Sequence, residues 1–98
     1  MIPKYMTKGI QDRIPLDLQI LMWQMYDRCK EEMERTDYLH VFQLKELEGE
    51  VLNQEIIHQQ EIPEYERTYV INIDYPMTEK VYVIESEDYV TMLLANEY

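Results

Sequence analysis

Hydrophobic side chains between residues 16 and 34 recur with the period of an α-helix. Six of them form one stripe at spacings of three and four residues: Leu18, Leu21, Met22, Met25, Cys29 and Met33. Pro15 suits the first turn, where a missing N–H costs nothing, and Asp17 complements the positive end of the helix dipole. The pattern predicts one long amphipathic helix over about residues 15–34.

Beyond Asp37 the pattern changes to the alternation and the β-branched and aromatic content that are typical of strands. Strands are predicted at residues 38–47, 54–62, 65–73 and 80–85. The connections between them are short, which favours antiparallel pairing because parallel strands need long crossovers. We therefore predict an α+β domain in which the helix packs on one face of an antiparallel β-sheet meander.

The C-terminal residues 87–96 fit two interpretations. Ser86 followed by Glu87 and Asp88 resembles a helix N-cap with an acidic first turn. The alternation from Tyr89 to Leu94 fits a final strand equally well. Of the two, we favour a short C-terminal helix.

Length and cysteine content limit the class of protein. The 98 residues suffice for a single domain, residues 1–98, with one hydrophobic core. A lone cysteine cannot form an internal disulfide, which favours a reducing compartment. The longest apolar run is four residues, whereas a membrane span needs about 20. We expect a cytoplasmic protein that does not interact with a membrane.

The charge is strongly negative and unevenly placed. The formal net charge is −11, and the segment after residue 30 holds four basic and seventeen acidic side chains. Such a field repels nucleic acid and attracts basic partners, so it argues against direct nucleic-acid binding. Two glycines in the whole chain cannot supply a dinucleotide-binding or P-loop pattern. We expect no cofactor and no enzymatic activity.

A second apolar patch lies on the predicted helix, away from the main stripe, and comprises Leu16, Ile20 and Trp23. One hypothesis makes it an anchor for a partner protein or for a homodimer, because tryptophan is favoured at binding hot spots. The alternative, which we favour, is that the N-terminal arm folds over it. The apolar residues of that arm are Ile2, Tyr5, Met6 and Ile10.

Glutamates from the end of the first predicted strand onward form a candidate acidic face. Its members are Glu46, Glu48, Glu50, Glu64 and Glu66. On an extended strand the first three would line one face at intervals of about 6.6 Å, a row that could imitate nucleic-acid phosphates or hold a hard cation. Gly49 favours a solvated turn instead, in which these carboxylates diverge.

Three further side chains could carry chemistry. His40 and His58 lie in separate predicted strands that could be neighbours, and with Glu55 or Glu61 they could bind a transition metal. Nothing in the sequence fixes that geometry, so we expect half-exposed histidines and no metal. Cys29 belongs to the core stripe of the helix and is interpreted as a small buried hydrophobe rather than a nucleophile.

Four segments carry a resemblance to a known family: RIPLDLQILMW (13–23), DYLHVFQL (37–44), IIHQQEIPEYERTY (56–69) and EKVYVIESEDYVTMLLANEY (79–98). Together they resemble the bacterial family called domain of unknown function 960, which is typical of low-GC Gram-positive bacteria and some of their mobile elements. The family has no assigned activity, so the resemblance implies no site residues. It implies a small stand-alone bacterial protein.

These observations favour a small, acidic, non-catalytic interaction module whose partner is another protein with a basic surface. A first alternative is a nucleic-acid mimic that inhibits a DNA- or RNA-binding enzyme. A second alternative is an enzyme that uses His40, His58 and strand carboxylates.

Overall fold

A computed structural model of the protein describes residues 2–98. Its elements are β1 (Lys4–Met6), α1 (Lys8–Arg13), α2 (Leu16–Glu32), β2 (Leu39–Glu46), β3 (Gln54–Gln60), β4 (Tyr65–Ile71), β5 (Glu79–Glu85), β6 (Val90–Leu94) and a final 3₁₀ turn (Ala95–Glu97). The α+β class is confirmed, and so is the long helix. Among these residues, neither helix has the length and apolar composition that crossing a bilayer requires.

The six strands form one sheet in the order β1-β6-β5-β2-β3-β4. Antiparallel pairing is confirmed for β2 with β3, for β3 with β4 and for β5 with β6. The sheet departs from a meander in two places. β5 pairs with the far side of β2, so that β2 to β5 follow a Greek-key path. β1 adds to β6 in parallel, which makes the sheet mixed.

The segment that crosses from β4 to β5, residues 72–78, is irregular. Side-chain amides form hydrogen bonds with its backbone and hold it in place. Gln54 donates from Nε2 to the carbonyl of Met77 (3.0 Å) and accepts from the Met77 N–H (2.7 Å). Asn53 pairs in the same reciprocal way with the backbone of Ile73. Such bonds let an irregular segment lie against the ends of β2 and β3 without leaving buried polar groups unpaired.

The short C-terminal helix that we favoured does not form over residues 90–94, which are strand β6. Val90, Met92 and Leu94 are all buried on one face of this strand. β6 lies between β1 and β5, and pairing on both edges outweighs a local helical signal of one turn. A single 3₁₀ turn follows.

Helix α2 packs its stripe against one face of the sheet. The buried helix residues include Leu18, Met22, Met25 and Cys29, as the periodicity predicts. The strand residues beneath them are buried alternate positions of β2, β3, β5 and β6: Phe42, Leu44, Ile56, Val81, Val83 and Met92. The opposite face of the sheet carries no helix, and we call it the open face.

Glu97 connects the segment before α1 to the end of β6 through hydrogen bonds. Its carboxylate accepts hydrogen bonds from the Thr7 hydroxyl (2.7 Å) and from the Leu94 N–H (2.8 Å). It lies over Gly9, where an added Cβ would be 2.6 Å from a carboxylate oxygen. Thr7 also caps α1, so one carboxylate connects the start of that helix to the end of β6.

We predict that Gln54→Ala lowers the free energy of unfolding by about 3 kcal/mol, because it removes several hydrogen bonds and leaves buried backbone groups unpaired. Urea denaturation measures the change. Gln24→Ala, at an exposed position of α2, is the matched control and should stay within about 0.5 kcal/mol of the parent. Equal effects of the two changes would contradict the anchoring role of Gln54.

Glu97→Gln should destabilise the protein at neutral pH and progressively less in acid. The hydrogen bonds from the Leu94 N–H and the Thr7 hydroxyl lower the pKa of Glu97. A lowered folded-state pKa contributes stability that is present above the unfolded-state pKa and is lost as the pH falls through the folded one. Denaturation curves from neutral pH into acid measure this, with Glu87→Gln at an exposed position as control. A difference from the parent that stays constant with pH would refute it.

Candidate functional site

His40 and His58 form a buried pair beneath α2. The register of β2 and β3 places His58 opposite Phe42, so His40 is its diagonal neighbour on the same face. His40 Nδ1 lies 3.0 Å from His58 Nε2, and the ring of His58 stacks on Phe42 with centroids 4.2 Å apart. The expectation of half-exposed histidines is wrong, since both side chains are fully buried. They occupy the parity of the core residues, and a half-exposed imidazole would need the other parity.

Cys29 completes a cluster with the two histidines. One ligand atom from each of Cys29, His40 and His58 lies within 4.8 Å of the other two. The thiol is fully buried, as the core stripe predicts. The glutamates that we considered as partners do not join the cluster: Glu55 lies on the opposite parity of β3 from His58, and Glu61 follows the end of that strand.

The carboxylate of Glu85 lies next to His40, on the side away from His58. Glu85 Oε1 lies 3.4 Å from His40 Nε2. The same oxygen accepts from the Tyr26 hydroxyl at 2.7 Å and is 3.0 Å from Lys30 Nζ. These contacts hold Glu85 in place at the edge of the buried layer, where its side chain is only 20% exposed.

Burial sets the protonation states of the cluster. Desolvation lowers the pKa of His58 to about 3 and also lowers the pKa of His40, against the opposing charge of Glu85. Desolvation raises the pKa of the Cys29 thiol to about 11. At neutral pH the cluster therefore holds two neutral imidazoles and one thiol. In addition, His40 Nε2 and His58 Nδ1 are buried without a hydrogen-bond partner.

The cluster is enclosed. Neither imidazole lines any of four depressions on the described surface. A catalytic role for His40 and His58 needs a concave site that brings a substrate to them. None of these four depressions provides one.

The apolar helix patch is partly covered. Trp23 is half-buried, with Lys4 Nζ 5.3 Å from the centre of its ring and Tyr26 packed edge to face at 5.9 Å. Lys4 of β1 thus lies over the ring of Trp23. The N-terminal-arm hypothesis expects the apolar residues of the arm there, and it stays a prediction. Leu16 and Ile20 stay 68% and 50% exposed.

The five glutamates of the candidate acidic face lie in two groups. Glu46, Glu48 and Glu50 lie where β2 ends and in the loop beyond it, whereas Glu64 and Glu66 lie at the opposite end of β3. Strand β3, Gln54–Gln60, spans about 20 Å between these two ends. These five carboxylates therefore do not make a single row.

A groove of about 620 Å³ crosses the open face at the end where Glu64 and Glu66 lie. Its floor includes Leu39, Val41 and Gln43 of β2. The complete lining is Asp37, Tyr38, Leu39, Val41, Gln43, Gln59, Gln60, Glu61, Glu64, Tyr65, Glu66 and Lys80. Four carboxylates and one ammonium group thus surround a floor that is apolar at Leu39 and Val41 and polar at Gln43.

Sequence reasoning identified only two of the groove's carboxylates, Glu64 and Glu66. It missed Asp37 and Glu61, which adjoin strand ends and come close only through the pairing of β2, β3 and β4. A signal for the groove floor was present. Segment 39–44 carries apolar residues at both parities, which indicates a strand with apolar side chains on both faces of the sheet.

The fold and the site define a small acidic α+β protein with one covered and one open sheet face. The profile of a family described as "Staphylococcal protein of unknown function (DUF960)" matches residues 3–97. The chain belongs to this family. The resemblance drawn from the sequence is confirmed.

A solved structure shares the fold. The "Crystal structure of the protein of unknown function from Enterococcus faecalis" superposes with a TM-score of 0.81 at 18% sequence identity. The match covers 99% of this chain and 91% of that one. No curated protein is detectably similar to the chain.

We predict that His58→Ala lowers the free energy of unfolding by about 3 kcal/mol, because it removes the stack on Phe42 and leaves His40 Nδ1 unpaired. Glu55→Ala on the other side of the same strand is the control and should change stability by about 0.5 kcal/mol or less. Urea denaturation in the presence of a chelator compares them. A neutral His58→Ala would mean that the pair contributes nothing to the packing.

Proposed function

We propose that the protein is a non-catalytic interaction module that binds a basic, partly apolar segment of another protein in the groove of the open face. The observation that carries the proposal is the combination of a partly apolar floor with four surrounding carboxylates. Leu39 and Val41 offer apolar contact, and Asp37, Glu61, Glu64 and Glu66 offer negative charge.

The charge of the groove selects the kind of partner. Lys80 is the one cationic residue in the lining, so a basic segment gains attraction and an acidic one is repelled. The overall charge of −11 acts in the same direction at longer range. Complementary charge mainly speeds encounter and sets specificity, while the apolar contacts prolong residence.

The open face supports this choice over the helix patch. Half-buried or exposed apolar side chains continue across the neighbouring strands at Ile57, Val70 and Ile84. Apolar surface that continues over several strands is typical of an interaction site, whereas single exposed residues are ordinary. On the helix, Leu16 and Ile20 are exposed, but Trp23, the expected anchor, is already packed against Lys4 and Tyr26.

The test is binding of the labelled protein to short synthetic peptides in which Lys or Arg alternates with Leu, Val or Phe. Matched peptides with Glu in place of the basic residues are the comparison. We expect binding to the basic series only, with an affinity that falls as salt rises. Equal binding of the acidic series, or binding to neither, would overturn the proposal.

Two triple variants with the same change of charge localise the interaction. Glu61→Gln/Glu64→Gln/Glu66→Gln should weaken binding of the basic peptides about tenfold or more, because it removes carboxylates from the groove itself. Glu46→Gln/Glu48→Gln/Glu50→Gln lies about 20 Å away and should weaken it about threefold at most. Similar losses in the two variants would indicate a general field effect and no groove site.

A change in the floor tests the apolar part separately. Val41→Ser leaves every charge in place and removes apolar contact from the centre of the groove. It should shorten the residence time of a basic peptide without altering the salt dependence of association. An unchanged dissociation rate would show that Val41 does not touch the peptide.

A further inference from the structure

Every thiol and imidazole of the chain lies at one place in the fold. The sequence contains one cysteine and two histidines. These three side chains come from α2, β2 and β3, are all fully buried, and place one ligand atom each within 4.8 Å of the others. A core built only for packing has no need to collect these three groups from distant parts of the chain.

The donor set fits a particular class of ion. Thiolate and imidazole are the ligands of Zn²⁺ and Cu⁺, whereas Mg²⁺ and Ca²⁺ prefer oxygen. The facing nitrogens, His40 Nδ1 and His58 Nε2, are 3.0 Å apart. Two imidazoles on a tetrahedral Zn²⁺ with bonds of 2.0–2.1 Å would place their nitrogens about 3.3 Å apart. The spacing of these two nitrogens therefore comes within a few tenths of an ångström of the spacing that Zn²⁺ requires.

The surroundings of His40 match those of a metal ligand. Metal-binding histidines commonly direct their second ring nitrogen at a carboxylate, which orients the ring and increases its basicity. His40 Nε2 lies 3.4 Å from Glu85 Oε1, and Glu85 is itself held by Tyr26 and Lys30. The ion would thus have a supporting layer as well as direct ligands.

An ion would assign the proton of one outward ring nitrogen. The hydrogen bond between the rings leaves His40 Nε2 and His58 Nδ1 buried and without a hydrogen bond. When an ion takes the two facing lone pairs, both outward nitrogens carry protons, and that of His40 points at Glu85, 3.4 Å away. His58 Nδ1 has no partner with or without an ion, so the support for an ion comes from the three clustered ligand atoms and from Glu85.

We propose that Cys29, His40 and His58 bind one thiophilic transition-metal ion, Zn²⁺ or Cu⁺, between α2 and the sheet. The ion links the helix to two central strands and stabilises the folded chain. Because the three side chains are fully buried, the ion enters during folding or local opening. The thiol gives up its proton when it becomes a ligand.

The test refolds the full chain under anaerobic, reducing conditions with Zn²⁺, Co²⁺, Cu⁺ or Mg²⁺, followed by dialysis and metal analysis. We expect about one equivalent of Zn²⁺ or of Cu⁺ to be retained and no Mg²⁺. Competition with chelators decides which of the two ions binds more tightly. Co²⁺ should give a thiolate-to-metal charge-transfer band, which only Cys29 can supply because it is the sole cysteine.

Two variants change proposed ligands, and a third changes the supporting carboxylate. Cys29→Ala and His58→Gln should each abolish retention of the ion, and Glu85→Gln should weaken binding about 10–100-fold. Glu46→Gln/Glu48→Gln/Glu50→Gln removes surface carboxylates and should bind like the parent. If Cys29→Ala does not fold, the cobalt band of the parent still decides the question.

Three results would overturn the proposal. One is a parent protein that retains less than about a tenth of an equivalent of both Zn²⁺ and Cu⁺. The second is cobalt binding without a thiolate band. The third is equal binding by the parent and by folded Cys29→Ala, which would assign the ion to oxygen ligands elsewhere.

Discussion

The apolar stripe of α2 can cover only one face of a six-stranded sheet, and this constraint organises the molecule. The strand residues of the covered parity from His40 to Leu44 in β2 and from Gln54 to Gln60 in β3 are placed in a dry layer, whatever their chemistry. Phe42 and Ile56 suit that layer, whereas His40, Gln54 and His58 bring polar atoms into it. Because burying an unpaired polar group costs about 1–3 kcal/mol, each of these three needs a partner beneath the helix.

The buried polar residues meet that need to different degrees. Gln54 uses its amide for the backbone of the segment between β4 and β5, with bonds to Met77 in both directions. The amide of Gln54 thus finds its hydrogen-bond partners within the chain, and the role of Gln54 is structural. The histidine pair forms one mutual contact and leaves two ring nitrogens without hydrogen bonds. The polar atoms that the chain leaves without hydrogen bonds therefore belong to the same buried cluster as Cys29.

The hydrophobic pattern of the sequence predicted the features that depend on local sequence alone. Helix α2, the strand segments and the α+β class follow from periodicity, and the structure confirms them. The position of β5 beside β2 depends on how Asn53 and Gln54 bond to a segment some twenty residues away, which propensity does not report. The burial of His40 follows from its parity with Phe42. However, Leu39 and Val41 are apolar too, so the sequence does not say which face of β2 the helix covers.

The groove and the metal-ligand cluster share strands β2 and β3 but not side chains. In β2, Leu39 and Val41 point into the groove, while His40 between them points toward α2. Strand alternation thus separates two sites by the thickness of one backbone. Substitutions on the open face leave the cluster's ligands intact, and substitutions of the ligands leave the carboxylates of the groove in place. The interaction surface and the metal centre are therefore independent hypotheses, and the loss of either would not weaken the other.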